Sequence, residues 1–437
     1  MKHITACAAV LGAGSAGFAA AYTLASAGVS TVLIDKNPGP GGTSVWAGVN
    51  CWEPGVASGR VHALLAEKLL AIPGAAAVCK TVPNGELLLP GSGINDFSHF
   101  PWGLSVPDPD ARYEDTLFRC RSLSGGDPSK WRRFQFEPAA MERVMLELTD
   151  LPCLTALYGA AFTGCATDGR RITSITVRKD EDILISADWF IDASGDILLA
   201  RAAHCETRVG AESKSEYGES GAPESADENR VNGASVVFRL RKAEDGHTDI
   251  YGGPVPPPVR AVSCFNFYPN GDINVNMLPT LPGGEFLRRK DAFEYGKELV
   301  RSYVYWLQTE KGLSGYALGH IFPMAGLRES YRLVGRRVLT EQDIRGGVIP
   351  ADSVALADHA LDSHGEDGCK EIERPYGIPA DCLRPKEYEN LLVACRGASF
   401  THIAASSARL SRTMLSLGEG AAEMILRGGH VNTFSHI

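Results

Sequence analysis

The sequence predicts an α/β protein: a Rossmann-like dinucleotide-binding domain carrying a β-meander, with a mainly antiparallel β domain inserted into it. Three observations predict this class. Residues 8–28 read AAVLGAGSAGFAAAYTLASAG, a buried strand passing through a glycine turn into a helix. Residues 155–196 alternate in the manner of strands, turn at DGR and close on ADWFIDASGD. Between residues 231 and 279, VNGASVVFRL, AVSCFNFYP and DINVNMLP read as short antiparallel strands.

The first stretch has a rival reading, because Lys2, an apolar core and many small residues imitate a secretory signal. The imitation fails on order. Cys7 precedes the apolar run instead of following it, and Gly12, Gly14 and Gly17 would break up the helix of a signal core. As a nucleotide fold the parts fall into register: Ala6–Leu11 as strand, Gly12–Gly17 as GxGxxG, Phe18–Ala27 as helix ended by Gly28, and Thr31–Ile34 as the next strand. Gly12 permits the tight turn, Gly14 lets backbone approach a pyrophosphate, and Gly17 lets helix lie close on strand. Asp35 ends the second strand, about 20 residues on, where an acid bonds a ribose diol. Its charge disfavours a 2′-phosphate, which leaves NAD and FAD. Gly41, Gly42, Thr43 and Ser44 then form a second glycine turn able to run under a pyrophosphate and ribityl chain, which favours FAD.

Composition fits a globular enzyme. The chain has 437 residues, 44% of them hydrophobic, and a net charge of −9, which supplies no basic field for nucleic acid or anionic membrane. No apolar run reaches the roughly 18 residues of a membrane helix. The eleven cysteines are scattered without CxxC or a close cluster, which argues against iron–sulfur, zinc and redox-disulfide chemistry and for reduced thiols in the cytoplasm. Cys395 is the thiol singled out by its position beside Arg396.

Further along, Val61–Leu70 reads as a helix, while the remainder of 61–136 is rich in Pro, Gly and Asp and reads as an irregular excursion or lid. PAAMERVMLEL after Glu137 is a helix, followed by strands at Thr155–Thr163 and Ile172–Val177. Residues 211–230, AESKSEYGESGAPESADENR, read as an exposed acidic loop. PVPPP at 254–258 reads as a rigid connector, and Asp291–Thr309 as a helix leading back. The expected domains are therefore a discontinuous nucleotide domain (1–60, 137–210 and 320–437), the excursion, and a substrate or cap domain at 211–319.

The order GxGxxG, acid, GGT, meander and DASGD resembles the glutathione-reductase-like FAD-binding flavoproteins. More narrowly, Arg328, Glu329, Ser330 and Arg332 in RESYR, followed by Arg396, Thr401, His402 and Arg409, resemble the FAD-dependent oxidoreductase family. The sequence departs from that family at Cys395, where glycine is usual, and at Arg412, where proline is usual. The resemblance implies FAD contacts at Gly12, Gly14, Ser15, Ala16, Gly17, Asp35, Lys36, Gly42, Thr43, Ala161, Ala193, Ser194, Gly195, Arg396, Thr413 and Met414. It implies a small-molecule substrate; within GHIFPMAGLRESYRLVGRR, whose cations are too many for such an apolar stretch, Arg328 or Arg332 is expected to turn inward to hold a substrate carboxylate bidentately or to order the flavin edge. Arg409 and His402 fall on the expected substrate side, His402 as proton donor or acceptor because its reference pKa lies near neutrality. The absence of a second GxGxxG argues against a disulfide-reductase layout with a resident NAD(P)H domain and leaves the expected partner an external electron donor or acceptor. Hydride transfer through flavin N5, flavin monooxygenation and electron carriage by a non-catalytic subunit all remain open to such a chain.

Overall fold

The computed structural model describes residues 2–82, 104–244, 247–249, 251, 253, 262–268, 270–310, 313–364 and 369–428; PVPPP lies outside them. The alanine-rich start forms a strand, β1 (Lys2–Leu11), and a helix, α1 (Ser15–Ser26), followed by β2 (Thr31–Asp35). Small side chains let these elements approach closely. At Gly12 the backbone φ is +101°, and an added Cβ would lie 2.4 Å from the Ala193 carbonyl oxygen. At Gly17 it would lie 1.7 Å from the Gly12 carbonyl oxygen, so the helix can cross its own turn only without a side chain there.

The first sheet runs Leu154–Tyr158, β2, β1, Asp182–Asp192, then Arg171–Arg178 and Ala161–Asp168, with Leu391–Val393 beside the end of Asp182–Asp192. Leu11 aligns with Asp192 in parallel, which brings the GxGxxG turn beside DASGD. The expected single strand at 155–163 is two. Gly159, at φ +71°, turns the chain so that Leu154–Tyr158 joins the parallel edge and Ala161–Asp168 opens the antiparallel meander. The last long helix, Ser411–Leu426, packs on α1, where a Cβ at Gly418 would sit 1.9 Å from the Ala16 carbonyl oxygen.

The second sheet has eight strands, in the order Tyr316–Ile321, Val237–Lys242, Ile273–Leu278, Val262–Phe267, Leu104–Pro107, Ala76–Val82, Arg132–Phe136 and Cys51–Trp52. All its pairings are antiparallel except that of Val262–Phe267 with Leu104–Pro107. Helix Ala292–Glu310 covers it, burying Val300, Tyr303, Val304 and Leu307 against Phe238 and Val275. The irregular reading of 61–136 is corrected here. Its described part supplies three strands of this sheet, whose apolar residues Val78, Phe134 and Phe136 join Trp52 in one core. The pairing partners lie far away in sequence, so no local alternation announced them.

His62 sits in that core with Nδ1 2.9 Å from the Tyr113 hydroxyl. Burial first, then Arg412, pushes its pKa down to about 4. Between pH of about 6.5 and 4 the unfolded chain therefore takes up a proton that the folded chain refuses, and stability falls as pH drops through that window. His62→Gln is expected to flatten this part of the stability–pH profile, measured by urea unfolding; an unchanged slope would exclude His62 as its source.

Candidate active site

A cavity of about 530 Å³ extends from the GxGxxG turn and Asp35, past DASGD and the second glycine turn, to the N-terminus of Ser411–Leu426 and one face of the second sheet. Its size falls within the usual range for ligand sites. At the dinucleotide end, α1 begins at Gly14 with no side-chain cap, which leaves its first amides directed at the turn. The two glycine turns touch: a Cβ on Gly42 would be 2.7 Å from Gly14 Cα, whereas one on Gly14 would meet Gly42 Cα only at 3.8 Å. Asp35 accepts from the Ala13 amide at 2.6 Å and the Asn37 amide at 2.8 Å, so its carboxylate is fixed at the cavity wall. Burial raises its pKa and these bonds oppose the rise. An uncapped helix start, two mutually fitted glycine turns and an anchored acid are the parts that the ADP half of FAD requires. Asp35→Asn is expected to weaken FAD retention by about 1–3 kcal/mol, as loss of a charge-assisted bond does; unchanged retention on dialysis would show that the acid does not serve the ribose.

Gly12, Gly14, Ser15, Ala16, Asp35, Lys36, Gly42, Thr43, Ala161, Ala193, Ser194, Gly195, Arg396, Thr413 and Met414 all line the cavity, and so do Arg328 and Arg409. Gly17 does not; it serves the helix crossing instead. Ser194 bonds the buried Asp192 carboxylate through both its amide and its hydroxyl, which holds DASGD in shape. Arg396 donates to Asp196 at 2.7 Å beneath Gly195. Helix Ser411–Leu426 also starts without a side-chain cap, so Thr413 and Met414 present a positive helix end to the cavity.

Two of the four expected catalytic residues stand elsewhere. Arg332 is 1% exposed and does not line the cavity: it lies 2.6 Å from Glu212 and 2.8 Å from Glu329, and donates to the Phe400 and Gly210 carbonyls. The Glu329 contact is an ion pair lying off the line of a hydrogen bond. His402 is buried behind the cavity wall, its Nδ1 2.8 Å from Glu329 Oε2 and its amide donating to Glu212. The acidic loop at 211–230 is mostly exposed or half-buried, as its composition implied, but two of its carboxylates turn inward. Glu212 and Glu219 are both buried, and Glu219 accepts from the Thr401 hydroxyl and the Glu341 amide. The cation that pairs with Glu212, Arg332, lies more than a hundred residues away, beyond the reach of a local reading.

Cys395 is buried at the cavity wall, and burial pushes its thiol up to about 12. Arg412 donates to the Thr116 hydroxyl and carbonyl and to the Glu53 carbonyl, tying the closing helix to the loop before Arg119. Asp358 pins the same region through the amides of Val56, Arg119 and Cys120.

The substrate side contains residues that sequence reading missed. Asn50, Asn266 and Asn274 form a buried carboxamide cluster on the second sheet, with bonds of 2.8–3.0 Å. Opposite them, His359, Asp362 and His364 line the cavity with Arg409 and Arg328. Arg409 donates to the Asp362 carbonyl at 3.0 Å, and Arg328 donates to the Gly233 carbonyl and the Ser235 hydroxyl at 2.9 Å each. His364 takes φ +49°, a strained conformation for a non-glycine residue, and its Nε2 lies 3.0 Å from Asp362. Burial, then Arg328, pushes His364 down to about 4. Burial pushes Asp362 up, but His364 and Arg409 outweigh it and hold the carboxyl below the usual range. The available signal was two histidines and an aspartate within six residues of the otherwise apolar SVALADHALDSH.

Residues 110–426 match the family model FAD dependent oxidoreductase, and residues 10–46 match that of an NAD(P)-binding Rossmann-like domain. No curated protein matches the chain. Among solved structures it is similar to a geranylgeranyl bacteriochlorophyll reductase-like protein from Thermoplasma acidophilum, with a TM-score of 0.50, 13% identity, and coverage of 98% of this chain and 80% of that one. It is also similar to p-nitrophenol 4-monooxygenase PnpA from Pseudomonas putida DLL-E4 (TM-score 0.42, 13% identity, 77% and 70% coverage). A flavoprotein/dehydrogenase from Cytophaga hutchinsonii gives a TM-score of 0.44 at 11% identity, with 98% and 80% coverage. At these identities the likeness is one of fold. Among the described residues no helix is long and apolar enough to cross a membrane, and no group of His, Cys, Asp and Glu is arranged to hold a metal ion.

Proposed function

The chain belongs to the FAD dependent oxidoreductase family, and from that premise we propose that it transfers hydride between flavin N5 and a small organic substrate bearing a carboxylate. The supporting observation is that one cavity joins the dinucleotide-binding turns to Arg328 and Arg409. FAD, when bound, supplies the two-electron chemistry; the protein contributes orientation and electrostatics. The uncapped start of α1 would hold the pyrophosphate, Asp35 would hold the ribose, and the uncapped start of Ser411–Leu426 would stabilise the negative charge that grows on the cofactor when it is reduced. Arg328, held by Gly233 and Ser235, and Arg409, held by Asp362, are fixed guanidinium groups suited to a carboxylate. His402 and Arg332 act behind this wall as positioning residues.

Anaerobic mixing with a panel of organic acids tests the reading: bleaching of the flavin by one of them supports it. Product formed only with oxygen and an external reductant would replace it with monooxygenation. Arg409→Ala is expected to retain near-normal flavin yet slow reduction by substrate at least tenfold, about 1.4 kcal/mol of barrier. Equal rates in the variant would move the carboxylate site to Arg328 alone.

A further inference from the structure

The proton that must move during the reaction has no carrier among the residues that the sequence singled out, since His402 stands behind the cavity wall. His359 stands in it. Its Nδ1 lies 2.9 Å from the Ala360 carbonyl oxygen, and a carbonyl can only accept, so Nδ1 carries the hydrogen. The other ring nitrogen, Nε2, then bears the lone pair, and among the described residues it has no hydrogen-bond partner. The Ser407 hydroxyl, itself bonded to the Tyr376 hydroxyl, donates to the His359 carbonyl and fixes the backbone that carries the ring. The charged groups facing the imidazole come from three sides: Arg119 on the loop pinned by Asp358, Arg409 at the end of helix His402–Ala408, and Asp362 paired with His364. Burial and the two arginines outweigh Asp362 and keep the ring neutral. Arg119 is taken up by Glu371 and Glu53, so the neutral, tautomer-locked imidazole with its open Nε2 stands beside Arg409, a member of the proposed carboxylate site, as a base placed next to an anion.

We propose that His359 is the catalytic base of this enzyme and that the substrate is a hydroxycarboxylate, oxidised at its alcohol carbon. The proposal rests on the hydride-transfer reading above. The carboxylate is held by Arg328 and Arg409. The substrate O–H bond breaks and its proton goes to His359 Nε2; the C–H bond breaks and its electron pair leaves as hydride to oxidised flavin. A C=O bond forms, giving an oxoacid and two-electron-reduced flavin. Protonation of His359 places a second cation beside Arg409, which favours release of that proton before the next turnover.

The test uses the holoenzyme, a panel of hydroxycarboxylates, and the matching deoxy and amino acids as controls. Under anaerobic mixing a hydroxycarboxylate should bleach the flavin while its deoxy and amino counterparts do not. His359→Gln should keep its FAD and slow bleaching about 100-fold or more, the range of a general base. His359→Ala should be slowed equally and regain at least about tenfold of its rate with added imidazole, a rescue that a merely structural role would not give. Independently of turnover, long-range nitrogen NMR of histidine-labelled protein should show one neutral ring protonated at Nδ1, absent in His359→Gln, whose Nε2 resonance shifts on adding an oxoacid. Wild-type rates in His359→Gln, no imidazole rescue, or an Nε2-protonated ring would each overturn the base. Bleaching by the amino or deoxy acids alone would overturn the hydroxycarboxylate class and leave hydride transfer standing. Failure of every organic acid to bleach the flavin would overturn both the class and the reading beneath it.

Discussion

Replacing Gly14 by valine is expected to yield a folded but colourless protein. A Cβ at this position meets nothing in the protein nearer than Gly42 Cα at 3.8 Å, so the apoprotein tolerates it. The branched side chain instead occupies the space between the two glycine turns, where the pyrophosphate must contact backbone amides. Gly12→Ala provides the contrast. Its Cβ would meet the Ala193 carbonyl oxygen at 2.4 Å at a φ that L-residues rarely adopt, so the fold itself should fail. Circular dichroism separates the two outcomes from the flavin spectrum: native ellipticity without FAD for Gly14→Val, lost ellipticity for Gly12→Ala. A yellow Gly14→Val protein would mean that the pyrophosphate lies elsewhere, and tight binding of FMN without FAD by the wild type would dispose of the dinucleotide site.

The second large effect concerns Arg332. Replacing it by methionine leaves the buried Glu212 and Glu329 carboxylates without their cation, and breaking a buried pair from one side costs about 3–5 kcal/mol. Burial pushes Glu329 up, while His402 and Arg332 hold it lower. With Arg332 gone, part of the cost is avoided by proton uptake at Glu329, so the loss should deepen as pH rises and that carboxyl is forced to ionise. Arg332→Lys should recover only part of the stability, because one ammonium cannot reach two carboxylates and two carbonyls as a planar guanidinium does. Thermal unfolding against pH measures this, and a methionine variant as stable as the wild type at pH 8 would show that the network carries no net stabilisation. The same variant separates Arg332 from Arg409, whose loss should touch substrate turnover and leave folding nearly unchanged.

Both results bear on what a single chain of letters can disclose. The dinucleotide half was legible because its signals are local: Gly12, Gly14 and Gly17 at fixed spacing, small residues where helix meets strand, and an acid closing β2. The catalytic side was less so. RESYR stood out as charges among apolar neighbours and Thr401–His402 through the family resemblance, but pattern alone does not say which way a side chain turns. Of the set, Arg328 and Arg409 face the cavity, whereas Arg332 and His402 are consumed by Glu212 and Glu329 behind it. Glu212 and Glu219 read as solvated because their neighbours are polar and turn-rich.

By itself, then, the sequence determined that a Rossmann-like FAD fold with a meander and an added antiparallel sheet is encoded, because backbone approach to a phosphate and helix packing on strand each demand particular small residues within a few positions of one another. Only the tertiary structure decided that the described part of 61–136 supplies three strands of the second sheet, and that His359 lies in the cavity while His402 does not. Strand pairing, burial of an ion pair and exposure to a cavity are relations between residues distant in sequence; their free energies come from desolvation and contact that exist only once the chain has closed on itself.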